Sequence, residues 1–197
     1  MKSRKKLKTR DLILETAQKI FAYFGIKKTT VDEIAKKAGI GKGTIYNYYK
    51  SKDELFAAVI KREEQELKKL ILDEIRKTDD PRKQLKNFII TKVKHLYNLK
   101  NFYKITEETL YEIYPETETI IKEYYEFEKI ELTKILKNGI NKKIFKPVNI
   151  TRSVKTIMDV LHSLELFWLR DKNNTIETIL KEINFLIDIF YKGIEKR

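Results

Sequence analysis

The densest set of groups able to recognise another molecule lies between residues 42 and 52. Lys42, Thr44, Tyr46, Asn47, Tyr48 and Lys52 put two ammoniums, a hydroxyl, a carboxamide and two phenols into that short run, with Gly43 between the first two. Such groups donate to phosphate oxygens, read base edges and pack against thymine methyls, which is recognition rather than bond making. Covalent chemistry has little to draw on. There is no cysteine, so disulfides and thiolate chemistry are excluded. The two histidines, His95 and His162, supply zinc sites and histidine-based triads poorly. No nucleophile elbow, phosphate-binding glycine loop or metal-ligand cluster appears. The chain is therefore read as not an enzyme, with no metal and no cofactor. An acid/base hydrolase using glutamate pairs is the remaining enzymatic alternative.

These residues need elements to aim them. Residues 30–52 read TVDEIAKKAGIGKGTIYNYYKSK. Thr30 with Glu33 three residues on is a capping box opening a helix whose apolar stripe is Val31, Ile34, Ala35 and Ala38. Gly39-Ile40-Gly41 breaks that helix. A third helix follows over roughly 42–49, with Ile45 and Tyr49 facing inward. Small Ala35 and Ala38 permit close approach, and the Gly39 turn lets the two helices cross steeply. This is a helix-turn-helix whose second helix turns its polar face outward, sized for one major groove. The alternative is an ordinary helical hairpin inside a bundle, against which the outward polar residues, the cap and the local charge agree. Upstream, Ile13, Ala17, Ile20, Phe21 and Phe24 form one helical stripe that stops at Gly25. Downstream, Ser51 and Glu54 form a second capping box.

Charge points the same way. The net charge is +13, and residues 1–52 hold fourteen Lys and Arg against four Asp and Glu. Concentrated basicity is the footprint of a polyanion, because neutralised phosphates release condensed counterions. A solubility feature or a membrane-surface patch is the blander explanation. The basic arm of Lys2, Arg4, Lys5, Lys6, Lys8 and Arg10 either reaches a neighbouring minor groove or is a solvated tail. The abundance of Lys, Glu and Ile fits a thermophile or an AT-rich genome equally.

The run Gly43-Thr44-Ile45-Tyr46-Asn47-Tyr48-Tyr49-Lys50-Ser51-Lys52 resembles the signature of the TetR family. Thr30 to Ala35, Ala38-Gly39 and Ile20 to Gly25 match it too. The close resemblance covers about residues 9–60, and beyond that only length and helical pattern agree. It implies a recognition helix beginning near Lys42. Lys42, Gly43 and Thr44 would meet the groove, with Asn47 on the same polar face. Tyr46 and Tyr48 would contact phosphates or thymine methyls. Lys52 would bind a phosphate, and Thr30 would cap its helix and offer a backbone amide to another. Tyr48 stands where many members carry His, and Lys42 lies at a variable position, so no operator sequence transfers.

The fold class expected is all-α. It comprises a three-helix DNA-binding domain over 1–52 and a larger helical bundle over 53–197, about nine helices in all. Pro81, Pro115 and Pro147 punctuate the bundle, with a break expected at Pro115. Helices at about 151–170 and 175–195 are apolar over more than one face, which suits partners on two sides. An isologous homodimer through them is the expectation, with Ile183 and Phe190 as candidate interface positions. Burial wholly within one subunit is the alternative.

The resemblance implies a small effector in this bundle. Tyr111, Tyr124, His162 and Trp168 are the candidate lining, among helices at about 82–138 and 151–170. Residues 107–131 carry nine Glu against two Lys. Interleaved with tyrosines, they suit a cationic ligand. At helical spacing, however, most of those Glu fall on a solvated face, which favours a small apolar or aromatic effector. His162 and Glu165 are either polar anchors of such a pocket or simply satisfied by neighbours. No apolar run spans a bilayer and no secretory signal opens the chain, so no membrane partner and a cytoplasmic location are expected. Three functions remain open: a dimeric regulator, usually a repressor, released from double-stranded operator DNA by an effector; a DNA-binding dimer without one; and the enzyme.

Overall fold

The computed structural model describes residues 2–103, 107–170 and 174–194. The fold is all-α, with eight helices among the described residues: α1 (Lys2–Phe24), α2 (Val31–Ala38), α3 (Lys42–Tyr46), α4 (Lys52–Arg76), α5 (Pro81–Tyr103), α6 (Glu107–Asn141), α7 (Ile150–Arg170) and α8 (Ile176–Ile194). The count falls below nine because α6 runs through Pro115, where a break was expected. Proline costs a helix one backbone hydrogen bond and crowds the preceding turn, which tertiary context can override.

The chain forms two compact units, Met1–Glu64 with Leu99–Ile120, and Gln65–Asn98 with Ile121–Arg197. In the first, α1, α2 and α3 pack around Ile13, Phe21, Ile34 and Ile45, with Tyr49, Leu55 and Phe56 beside them. The α1 stripe closes at Gly25, whose φ of 80° favours glycine and whose N–H donates to the Phe21 carbonyl at 2.8 Å. Phe24, expected on the buried stripe, is 46% exposed and meets Tyr23 edge to face at 4.7 Å. It falls in the last turn, where the stripe has run past the core.

The second unit is built on Phe88, Leu132, Leu136, Met158 and Ile183, with Trp168 in the same core. Its α7 buries Val154, Met158 and Leu161, and α8 buries Ile179, Ile183 and Ile187. The remaining apolar side of the pair is open: Val160, Phe167, Phe185 and Ile189 are exposed. Ile183 is 1% exposed and belongs to the chain's own core. No helix among the described residues is long and apolar enough to cross a membrane.

Candidate nucleic-acid interface

The helix-turn-helix forms by the devices its sequence carries. Thr30 Oγ1 accepts from the Glu33 N–H at 3.3 Å, and Glu33 Oε2 accepts from the Thr30 N–H at 2.8 Å. The backbone bond first and the Thr30 hydroxyl second hold the Glu33 carboxyl below its usual range. Thr30's own amide is thus engaged, so a phosphate would have to displace Glu33 to use it. At the other end of α2, Gly39 is left-handed (φ 67°), the Ile40 N–H donates to the Ala35 carbonyl at 3.1 Å and the Gly39 N–H to the Lys36 carbonyl at 3.3 Å. That pair of bonds is a Schellman turn, and it reverses the chain toward α3.

The α3 helix is shorter than the expected 42–49. It ends at Tyr46, after which the Tyr48 N–H bonds to the Ile45 carbonyl at 2.9 Å, a tightening common at helix ends. Ile45 and Tyr49 face inward, as the spacing predicts. Lys42, Gly43, Tyr46 and Asn47 are exposed, while Thr44 and Tyr48 are half-buried. The Tyr48 hydroxyl donates to the Lys6 carbonyl at 3.3 Å, and Arg10 Nε donates to the Tyr49 hydroxyl at 3.4 Å. Those bonds dock the start of α1 against the recognition segment.

The backbone of the basic arm is therefore not an extended strand. It is helical backbone from Lys2, and a helix about 10–12 Å across does not enter a groove about 6 Å wide. The side chains of Lys2, Arg4 and Lys5 lie outside the described residues. Lys6, Lys8 and Arg10 are exposed. Lys42 Nζ pairs with Asp32 Oδ2 at 2.6 Å, a bond that raises the ammonium's pKa. Lys52 Nζ donates to the Ile26 carbonyl at 2.9 Å. The eight sequence-predicted residues, Thr30, Lys42, Gly43, Thr44, Tyr46, Asn47, Tyr48 and Lys52, all belong to this first unit.

Of the candidate effector residues, Tyr124, His162 and Trp168 lie among the described side chains. The side chain of Tyr111 lies outside the described residues. Trp168 is core. Tyr124 lies under Lys92, with Nζ 5.7 Å from its ring centre. His162 Nε2 and Glu128 Oε2 share a hydrogen bond at 2.8 Å. An apolar groove of about 210 Å³ lies among α5, α7 and α8, lined by Leu85, Ile89, Ile157, Leu161, Ile187, Phe190 and their neighbours, and Tyr124, His162 and Trp168 are not among its lining residues.

His162 and Glu165 pair with Glu128 and Lys92, partners the sequence does not announce. Lys92 Nζ is 2.6 Å from Glu128 Oε1 and 2.8 Å from Glu165 Oε1. Burial works against the charge of Lys92, but the Glu165 and Glu128 carboxylates outweigh it and hold its pKa up. Glu128, though buried, is held below its usual range by hydrogen bonding from His162 and by Lys92.

Comparison with known proteins places this arrangement. The family model described as bacterial regulatory proteins, tetR family, matches residues 13–59. An uncharacterized HTH-type transcriptional regulator of Bacillus subtilis, YhgD, is 57% identical over 47 residues, covering 24% of this chain and 25% of that protein. The chain thus spans a quarter of that relative's length. Among solved structures, a transcriptional regulator from Cytophaga hutchinsonii superposes with a TM-score of 0.80 at 26% identity, over 94% of this chain and 98% of that one. A candidate fatty acid metabolism regulator of Clostridium perfringens does so with a TM-score of 0.63 at 30% identity, over 89% and 96%. The helix-turn-helix signature and the likeness over nearly the whole chain agree: this protein belongs to the TetR family of bacterial regulatory proteins.

Proposed function

We propose that the protein is a cytoplasmic transcriptional repressor that binds palindromic double-stranded operator DNA as a homodimer. The observation that carries this reading is the exposed polar face of α3, aimed outward by the Gly39 turn. Residues 1–52 read the DNA. Lys42, Gly43, Thr44 and Asn47 meet base edges, Tyr46 and Tyr48 meet phosphates or thymine methyls, and Lys52 and the Thr30 cap meet phosphates. Lys6, Lys8 and Arg10 on the docked α1 add backbone contacts rather than minor-groove ones. Residues 53–197 dimerise through α7 and α8, at about 151–170 and 175–195, a reading supported by exposed Val160, Phe167, Phe185 and Ile189. The test is selection of bound sequences from a random duplex pool. Two half-sites about 34–36 Å apart, or a multiple of that, are expected. Enrichment of single half-sites, or of none, would count against it.

The same bundle receives a small apolar or aromatic effector that releases the operator. Support comes from the likeness to the Clostridium perfringens regulator, whose name concerns fatty acid metabolism. A ligand achieves release only by binding one of two conformations better. A thermal-shift screen of acyl and aromatic acids against cationic dyes, followed by operator-release assays, tests this, and stabilisation by the cations alone would reject it. A second reading, a DNA-binding dimer without an effector, is favoured by the way Tyr124, His162 and Trp168 are committed to the bundle's own packing and pairing. Release by no compound in the screen would favour it.

A further inference from the structure

Three helices of the second unit meet at a charged junction that DNA recognition does not use. Lys92 on α5 and Glu128 on α6 are each 1% exposed, Glu165 on α7 is 17% exposed, and His162, also on α7, 32%. Glu128 is braced on both oxygens, by Lys92 at 2.6 Å and by His162 at 2.8 Å. Glu165 meets Lys92 at 2.8 Å and also feels the like charge of Glu128. The rings of Tyr124 and Tyr125 on α6 complete the surroundings, the first under Lys92 and the second 5.3 Å from the His162 ring. Asp159, farther back on α7, is committed to Lys155.

Counting formal charges decides what this junction lacks. It holds two carboxylates and one ammonium, with the His162 imidazole as the other basic group beside them, so its carboxylates outnumber its one permanent cation in the core of the unit. An uncompensated buried charge is costly, and the cheapest remedy is to bind a proton. Glu128 is the poorer acceptor, since a hydrogen bond to His162 and the Lys92 ammonium both favour its ionised form. Glu165 is the better one: Lys92 pairs with it directly, His162 helps only from a distance, and burial and the Glu128 carboxylate oppose its charge.

We infer that Glu165 is a proton-binding switch at the α5–α6–α7 junction, neutral and held beside Lys92 in mild acid, ionised and drawn toward solvent as the pH rises. Burial first, with Glu128 adding, pushes its carboxyl above the ordinary glutamate range against the pull of Lys92. The sign follows. The folded chain binds this proton more tightly than the unfolded chain, whose glutamates titrate near about 4.3. Stability from this group is therefore full below that value and lost as pH rises through the folded-state value. The switch acts on α7, which also exposes Val160 and Phe167.

The test is urea unfolding of the full chain and of Glu165→Gln at one protein concentration, across a pH series from about 4.3 upward to neutrality. Gln keeps the shape and the neutral charge of the protonated acid. The ratio of the two unfolding constants, wild type over variant, is expected to fall as the pH is lowered, by up to about tenfold per unit where one proton separates the states. Amide hydrogen exchange along α7 is expected to slow with acid in the wild type more than in the variant. A ratio that stays constant over the series overturns the inference. Should Glu165→Gln fail to fold, carboxyl-carbon NMR of the wild type decides. A glutamate titrating above the bulk, its side chain in contact with Lys92, supports the switch, and a Lys92-contacting pair that both titrate at or below about 4.3 overturns it.

Discussion

The ammonium of Lys52 donates to the carbonyl of Ile26 at 2.9 Å, tying the first residue of α4 to the segment after α1. A lysine carries three donors, so this bond leaves two for a phosphate and fixes where they point. Lys52→Ala should weaken binding to every duplex alike and lower the salt slope by about 1. Fluorescence anisotropy against KCl, on an operator and on a scrambled duplex, measures both. An unchanged slope would leave Lys52 with the tie to Ile26 as its whole role.

Lys42 is held at 2.6 Å by Asp32, and both side chains are about half exposed. DNA must compete with that carboxylate for the lysine. Asp32→Asn removes the competitor and a negative charge beside the phosphates, so affinity for unrelated duplexes should rise. Lys42→Ala should change base preference at one position of each half-site, because base contacts, unlike phosphate contacts, carry sequence information. Repeating the duplex selection with the variant reads this directly. An identical consensus would move Lys42 to the phosphate backbone.

Exposed apolar residues on α7 and α8 separate interface positions from core ones. Phe185 is 63% exposed and Ile189 50%, whereas Ile183 is 1% exposed. Phe185→Glu should give a folded monomer with unchanged helicity and weakened operator binding. Ile183→Glu should instead lose the fold, since it buries an unpaired charge. Sedimentation with circular dichroism distinguishes the two outcomes. A Phe185→Glu protein that remains dimeric would remove this face from the interface.

What the sequence makes legible follows from how local each determinant is. The Thr30–Glu33 cap, the Gly25 and Gly39 stops and the inward Ile45–Tyr49 pair are all set within a few residues, and each reads directly from the chain. The Lys42–Asp32, Tyr48–Lys6 and Lys52–Ile26 bonds join positions 10, 42 and 26 residues apart, so spacing alone does not announce them. The buried charges also carry a signal in the sequence. On α5, Leu85, Phe88, Ile89, Val93 and Leu96 form one helical stripe, and Lys92 sits within it. On α6, Glu128 falls in line with Leu132 and Ile135 in the same way. A charge inside an apolar stripe predicts a buried partner, but which helix supplies it is a tertiary matter.

Gly139 gives the most direct test of packing in the second unit. It lies inside α6, where helix propensity alone favours alanine over glycine by roughly 1 kcal/mol. The structure opposes that gain. A Cβ at Gly139 would stand 2.0 Å from Phe145 Cδ2 and 2.3 Å from Cε2, well inside any permitted contact. The ring has little freedom to retreat. Phe145 is 1% exposed, its N–H donates to the Gly139 carbonyl at 3.0 Å, and the next amide, of Lys146, donates to the Ile194 carbonyl at 2.6 Å. Overpacking of a rigid core costs about 1–3 kcal/mol, so the clash exceeds the propensity gain. Gly139→Ala should therefore unfold at lower urea than the wild type. Phe145→Ala should be destabilising by itself through the cavity it leaves. Adding Gly139→Ala to it should restore up to about 1 kcal/mol, because with the ring gone only the propensity term remains. Urea midpoints of the four proteins close the cycle. A single Gly139→Ala variant more stable than the wild type would show that Phe145 does not lie against the α6 backbone.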